Sequence, residues 1–135
     1  MSAIAEIQGM WGGGVGTSQS VAAGATQVSD AITVATTAVA HMIHCKADNA
    51  GTPATNDYID VFIRYSGGDP DGAGADEYDT AFGGRWVGRI DTKLEDPILA
   101  TFPVPLPAKS YKVAAVSAAG ANTITFSFCI SEMTS

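Results

Sequence analysis

The side chains best able to do chemistry are two histidines, two cysteines and a concentration of carboxylates between Asp57 and Asp96. His41 and His44 stand three apart in "AVAHMIHCKAD". A strand turns such a pair to opposite faces, so the two cannot reach one metal ion. His41 shares a row with Val39 and Ile43, and a core or half-buried histidine is the simpler expectation there. Cys45 belongs to the same inward row, whereas Cys129 faces away from the aromatic row of its own segment. No disulfide is therefore expected, and the spacing excludes a CxxC redox or zinc pattern. The loop "GGDPDGAGADEYDTAFGG" offers Asp69, Asp71, Asp76, Glu77 and Asp79 as oxygen ligands. Counted as an EF-hand from Asp69, it has the required glycine at the sixth position, Gly74. It has Ala73 at the fifth and Thr80 at the twelfth, where a bidentate acid belongs. The motif fails, the loop reads as solvated, and no metal ligand is assigned.

Nucleophilic catalysis has no better footing. There is no GxSxG, and no serine stands in an interpretable order with a histidine and a carboxylate. "GGGVG" resembles a phosphate loop only in its glycines, because the lysine and the following helix are missing. Glu95 and Asp96, adjacent before Pro97, read as a turn rather than an acid/base pair. No catalytic residue and no cofactor are expected, and the chain is not read as an enzyme.

Composition narrows the class further. The net charge is −7, with seven Lys and Arg against fourteen Asp and Glu. That balance argues against binding nucleic acid through its phosphates. No run of about 20 apolar residues exists, so no membrane span is expected. "MSAIAEIQGMW" lacks a basic start and a continuous apolar stretch, so no signal peptide is read and synthesis in a reducing cytoplasm is expected. Residues 1–45 carry only Glu6 and Asp30, and residues 97–131 only Lys109 and Lys112. Such charge-poor stretches point to surfaces covered by other copies or by a larger assembly.

The elements that must position these groups are strands. In "DYIDVFIRYS" Ile59, Val61, Ile63 and Tyr65 alternate with Tyr58, Asp60, Phe62 and Arg64, a period of two. In "NTITFSFCIS" Ile124, Phe126, Phe128 and Ile130 alternate with Thr123, Thr125, Ser127 and Cys129. "SQSVAAG" and "VSDAITVA" read as short strands around a turn at Gly24, and "RWVGRIDT" as another strand. "DPILATFPVPLPA" is confined to a sheet edge or to the end of a strand by Pro103, Pro105 and Pro107. "SYKVAAVSA" and "NTITFSFCIS" form the clearest hairpin candidate. About seven or eight short strands without a helix predict an all-β chain, an antiparallel β-sandwich of jelly-roll or immunoglobulin-like connection.

Two segments carry the expected contacts. In "GMWGGGVGTSQS" a tryptophan precedes a run of glycines. Residues 1–17 read as an extended N-terminal arm on a glycine joint, with residues 18–135 as the sandwich. Burying such a side chain is worth on the order of 2–3 kcal/mol, so Ile4, Ile7, Met10 and Trp11 are expected to dock on a neighbour. The alternative is that Trp11 closes one end of its own core. Thr123, Thr125 and Ser127 form a neutral row suited to packing on another sheet or subunit, or equally to an ordinary exposed face.

The order of segments from "SQSVAAGATQVSDAITVA" through "DYIDVFIRYS" to "RIDTKLEDPILATFPVPLPAKSYKVAAVSAAGANTITFSF" resembles the small β-sandwich virion proteins of tailed bacteriophages, especially capsid decoration or cement proteins. The resemblance implies a homo-oligomer on the capsid surface of a virion, with the major capsid protein as partner and no cofactor. It would stabilise the head through several contacts on one lattice. The same texture fits another tail or connector component. The alternative is a receptor- or carbohydrate-binding module, with Tyr58, Tyr65, Tyr78, Phe82 and Trp86 as its aromatic platform.

Overall fold

A computed structural model describes residues 3–79, 84–93, 96–106, 108–118, 120 and 122–135. Ten strands run in chain order: β1 (Ala3–Gln8), β2 (Ser18–Val21), β3 (Thr26–Val28), β4 (Ile32–Thr33) and β5 (Ala38–Asn49), then β6 (Tyr58–Tyr65), β7 (Arg85–Asp91), β8 (Ile98–Val104), β9 (Ser110–Ser117) and β10 (Ile124–Thr134). Among the described residues there is no helix, and so none long and apolar enough to cross a membrane.

The first sheet has the order β1-β10-β5-β8, with β2 also on β10; the second has β3-β9-β6-β7, with β4 also on β9. All pairings are antiparallel. β1 and β2 share one edge of β10, and β3 and β4 share one edge of β9, so each sheet is four strands wide with a broken edge. From β5 onward strands enter the sheets singly or in pairs: β5, then β6 and β7, then β8, β9 and β10 in turn. With each broken edge counted as one strand, this is the eight-strand jelly roll of two packed sheets, which the sequence left open against an immunoglobulin-like connection.

The core lies between the sheets and is built by the alternation that defines the strands. Ile124, Phe126, Phe128 and Ile130 of β10 and Ile43, Cys45 and Ala47 of β5 face Ile59, Val61 and Ile63 of β6 and Tyr111, Val113 and Ala115 of β9. β8 lies at a sheet edge, one of the two placements expected for this segment, with Pro103 opposite Met42; Pro105 follows the strand, and Pro107 lies outside the described residues.

Two expectations are corrected. β9 and β10 do not form a hairpin: they lie in different sheets and face one another across the core. β2 and β3 do stand on either side of the turn at Gly24, which carries the chain from one sheet to the other. Two amphipathic segments with a short turn have the same pattern whether they pair edge to edge or fold face to face.

The second correction concerns residues 1–17. From Ala3 they are no free arm. β1 pairs along β10 from Ala3↔Thr134 to Gln8↔Cys129, and the Gly9 amide donates to the Phe128 carbonyl. Trp11 is 2% exposed and packs edge-on against Phe126 and Phe128, with ring centroids 6.0 and 5.8 Å away. It is unavailable to a neighbour. The glycines are a tight return rather than a joint: Gly12, Gly13 and Gly14 take φ of 65°, 75° and 86°, a region costly to residues with a Cβ. They bring Gly16 back to bridge Trp11, and the Asp30 carboxylate accepts from the Gly13 and Gly14 amides. Ile7 packs against the core, Met10 is half-buried and Ile4 stays exposed.

Candidate functional site

The outward row of β6 carries Tyr58, Asp60, Phe62 and Arg64 on the outer face of the second sheet. β7 lies beside it with Asp91 opposite Tyr58, Arg89 opposite Asp60, Gly88 opposite Val61 and then Trp86 opposite Phe62. Val87 is skipped. This β-bulge is what turns Trp86 outward; in unbroken register Val87 would face Phe62 and Trp86 would point into the sandwich. Gly88 sits beside the bulge because a Cβ there would collide with the Phe102 ring, which reaches across from β8.

Trp86 is 55% exposed, yet it is held. Its Nε1 donates to Asp60 Oδ1 at 3.1 Å. The same carboxylate receives Arg89 through two bonds, from Nε at 2.9 Å and Nη2 at 3.1 Å. The Arg89 guanidinium lies 3.7 Å from the centroid of the Tyr58 ring. The hydrogen bond to Asp60, helped by that carboxylate's charge, raises the Arg89 pKa against the pull of partial burial. Two-pronged arginine–carboxylate pairs fix geometry as well as adding energy. The result is a planar aromatic face, oriented in advance, beside a planar hydrogen-bonding unit.

The aromatic residues read as a platform separate accordingly. Trp86 is bonded to Asp60, and Tyr58 lies under the Arg89 guanidinium that the same carboxylate holds. Tyr78 approaches the same face, its ring 4.6 Å below Lys112 Nζ and its hydroxyl 3.1 Å from Ser110 Oγ. Tyr65 belongs to the core edge: it packs edge-on with Tyr111 and donates to the Pro105 carbonyl at 2.6 Å. Burial, then Asp79 against an opposing Arg85, raises its phenol. Phe82 lies outside the described residues. Asp60, Phe62 and Arg89 were not singled out from sequence, although the outward row of β6 was visible; the bulge that brings Trp86 to it leaves no local pattern.

The remaining candidates do not assemble a reactive centre. His41 is sealed in the core, 2% exposed. Its Nε2 donates to the Glu132 carboxylate at 2.7 Å, and its Nδ1 is hydrogen-bonded with the Tyr111 hydroxyl at 2.7 Å. Burial raises the Tyr111 phenol, and the neighbouring Tyr65 and Glu132 add to it. Burial also pushes Glu132 up, but the Ala35 amide and His41 outweigh it and hold its carboxyl below the ordinary value. At the opposite end, the Ala54 amide lowers Asp57, burial opposes it, and Asn49 and Asn122 add to the lowering. Both clusters are satisfied polar plugs in the ends of the sandwich.

On the outer face of the first sheet, Gln8, Cys129, His44 and Thr101 lie on one rung beside an open depression of about 340 Å³. Both His44 ring nitrogens are engaged, with Thr101 at 3.0 Å and Ser131 at 2.8 Å. Burial, then Glu6, raises the Cys129 thiol, which disfavours a nucleophilic thiolate. Cys45 is buried and raised chiefly by that burial, and both cysteines are free. In the acidic loop Asp69 accepts from the Ala73 and Gly74 amides. Among the described residues no three His, Cys, Asp or Glu side chains converge on a possible metal position. Glu95 lies outside the described residues, and Asp96 accepts from the Asn49 amide. Thr125 and Ser127 lie between Ser20 and Ser18 of β2 and Asp48 and Lys46 of β5, with Thr123 just before the strand, so the neutral row is flanked by exposed charge.

No protein-family model matches the sequence, and no curated protein matches it. Among solved structures the chain is similar to the C-terminal CBM6 of LamC, a marine laminarinase from Zobellia galactanivorans, at 9% identity over all of both chains with a TM-score of 0.49. It is similar to dimeric latent PorU from Porphyromonas gingivalis at 7% identity, covering 98% of this chain and 12% of that one, with a TM-score of 0.46. It is also similar to the carbohydrate-binding module CBM6cm-2 from Cellvibrio mixtus lichenase 5A, solved with cellotriose, at 14% identity over 85% and 73% of the two chains, with a TM-score of 0.38.

Proposed function

We propose that this chain is a non-catalytic carbohydrate-binding module that holds a saccharide on the outer face of the second sheet. The observation that carries the reading is Trp86: an exposed indole on an edge strand, turned outward by a bulge and locked by Asp60. A sugar ring has one apolar face that packs on an aromatic plane and a rim of hydroxyls. The unused lone pairs of Asp60 and the free guanidinium edge of Arg89 suit that rim. Orientation fixed before binding lowers the entropic cost of association. Binding is favoured over catalysis because the His41–Glu132–Tyr111 arrangement is closed to any substrate.

The test is affinity electrophoresis through gels containing a panel of soluble neutral and acidic polysaccharides. At least one should retard the protein, and Trp86→Ala should weaken that binding at least tenfold, about 1.4 kcal/mol, without lowering thermal stability. A panel that leaves the migration unchanged, or an alanine variant that binds as well as the parent, removes the reading.

A virion structural role, with self-association and a major capsid protein as partner, is the second reading. The outer face of the first sheet favours it: Ile4 is 71% exposed and lies with Met42 and Met133 around an apolar depression of about 180 Å³. Under this reading the chain elutes as a homo-oligomer that Ile4→Lys dissociates; a monomeric parent in light scattering removes it.

A further inference from the structure

Arg64 and Lys112 are direct cross-strand partners on the outer face of the second sheet, one on β6 and one on β9. Like charges in that relation destabilise a sheet unless something lies between them. Neither is ion-paired among the described residues, and the Arg64 Nε is buried without a hydrogen-bond partner. Asp60 is committed to Arg89 and Trp86, and Asp76 to Lys109 and Ser66; Glu77 and Asp79, on either side of Tyr78, form no ion pair with either cation. Lys112 is held in place over the Tyr78 ring. In a chain of net charge −7, two opposed cations without an ion-pair partner are suited to take an anion between them.

Their placement ties that site to the aromatic one. Phe62, two residues before Arg64 on the same face, lies opposite Trp86 on one side and Ala114 on the other. Trp86 and Arg64 are therefore diagonal neighbours, with side chains roughly 7–8 Å apart at their bases. We infer that the ligand is an acidic polysaccharide, whose carboxylate or sulfate group is taken between Arg64 and Lys112 while an adjacent ring packs on Trp86. This rests on the carbohydrate reading and specifies its substrate class.

The experiment measures affinity for polygalacturonate, dextran sulfate and neutral dextran as a function of salt, with a single-stranded oligonucleotide as a competing polyanion. The expected result is binding to at least one acidic polysaccharide that weakens as salt rises, with neutral dextran at least tenfold weaker. The first two polymers separate a carboxylate from a sulfate ligand. Lys112→Gln and Arg64→Gln should each lower acidic-polysaccharide affinity at least fivefold. Relief of the like-charge contact should leave the melting temperature of Lys112→Gln unchanged or raised, which a merely structural lysine would not do. Equal binding of neutral and acidic polymers, with both variants unaffected, overturns this inference and leaves the carbohydrate reading standing. Oligonucleotide binding as tight as that of the polysaccharides, and insensitive to Trp86→Ala, overturns both.

Discussion

Trp11 shows how one residue's setting decides its role. Its indole closes the core between Phe126 and Phe128, so Trp11→Ala should cost roughly 3–5 kcal/mol, read as a lower urea midpoint. An indole docked on a neighbouring subunit would leave the monomer's midpoint unchanged. Glu132 carries the pH dependence. Its carboxyl is held below the ordinary value when folded, so the stabilisation is complete above the unfolded pKa, about 4.3. It is lost as pH falls through the lower folded value. Asp57 has the same sign. Thermal unfolding should therefore be flat in pH near neutrality and fall below about pH 4. Glu132→Ala should remove part of that fall and cost roughly 1–3 kcal/mol at neutral pH, because His41 Nε2 and the Ala35 amide lose their acceptor.

Among the elements, β7 has most to do with the site. Its bulge sets which face Trp86 reaches, and Gly88 is the residue that admits Phe102 beneath it. Gly88→Ala should cost roughly 1–3 kcal/mol by overpacking. Combining it with Phe102→Ala should recover part of that loss beyond additivity, as measured in a double-mutant cycle by chemical denaturation. β5 and β10 place the two thiols on opposite faces of one sheet, Cys45 inward and Cys129 outward. A thiol reagent should thus leave Cys45 unmodified in the native protein and label it only after unfolding, as mass spectrometry of the labelled peptides would read.

For the whole molecule, the sandwich closes only when its first strand is in place. β1 covers one edge of β10 and delivers Trp11 to the core. Deleting residues 3–16 should abolish cooperative unfolding and near-ultraviolet dichroism rather than release a folded remainder. A truncated chain with a native-like melt would contradict the arrangement of the first sheet.

The strand periodicities in "DYIDVFIRYS" and "NTITFSFCIS" determined the fold class and most of the core, because a period of two with one apolar face has few other solutions in water. The inward course of His41 and Cys45 followed from the same alternation, and proline's missing donor narrowed β8 to a sheet edge or a strand end. Sheet membership did not follow, because a turn between amphipathic strands looks alike in a hairpin and in a crossing between sheets. Nor did the fate of Trp11, which depends on β10, more than a hundred residues away. The outward turn of Trp86 depended on one skipped residue, and the meeting of Arg64 with Lys112 on the register of β6 against β9. Each of those is a relation between distant segments, set by which strands close over the core.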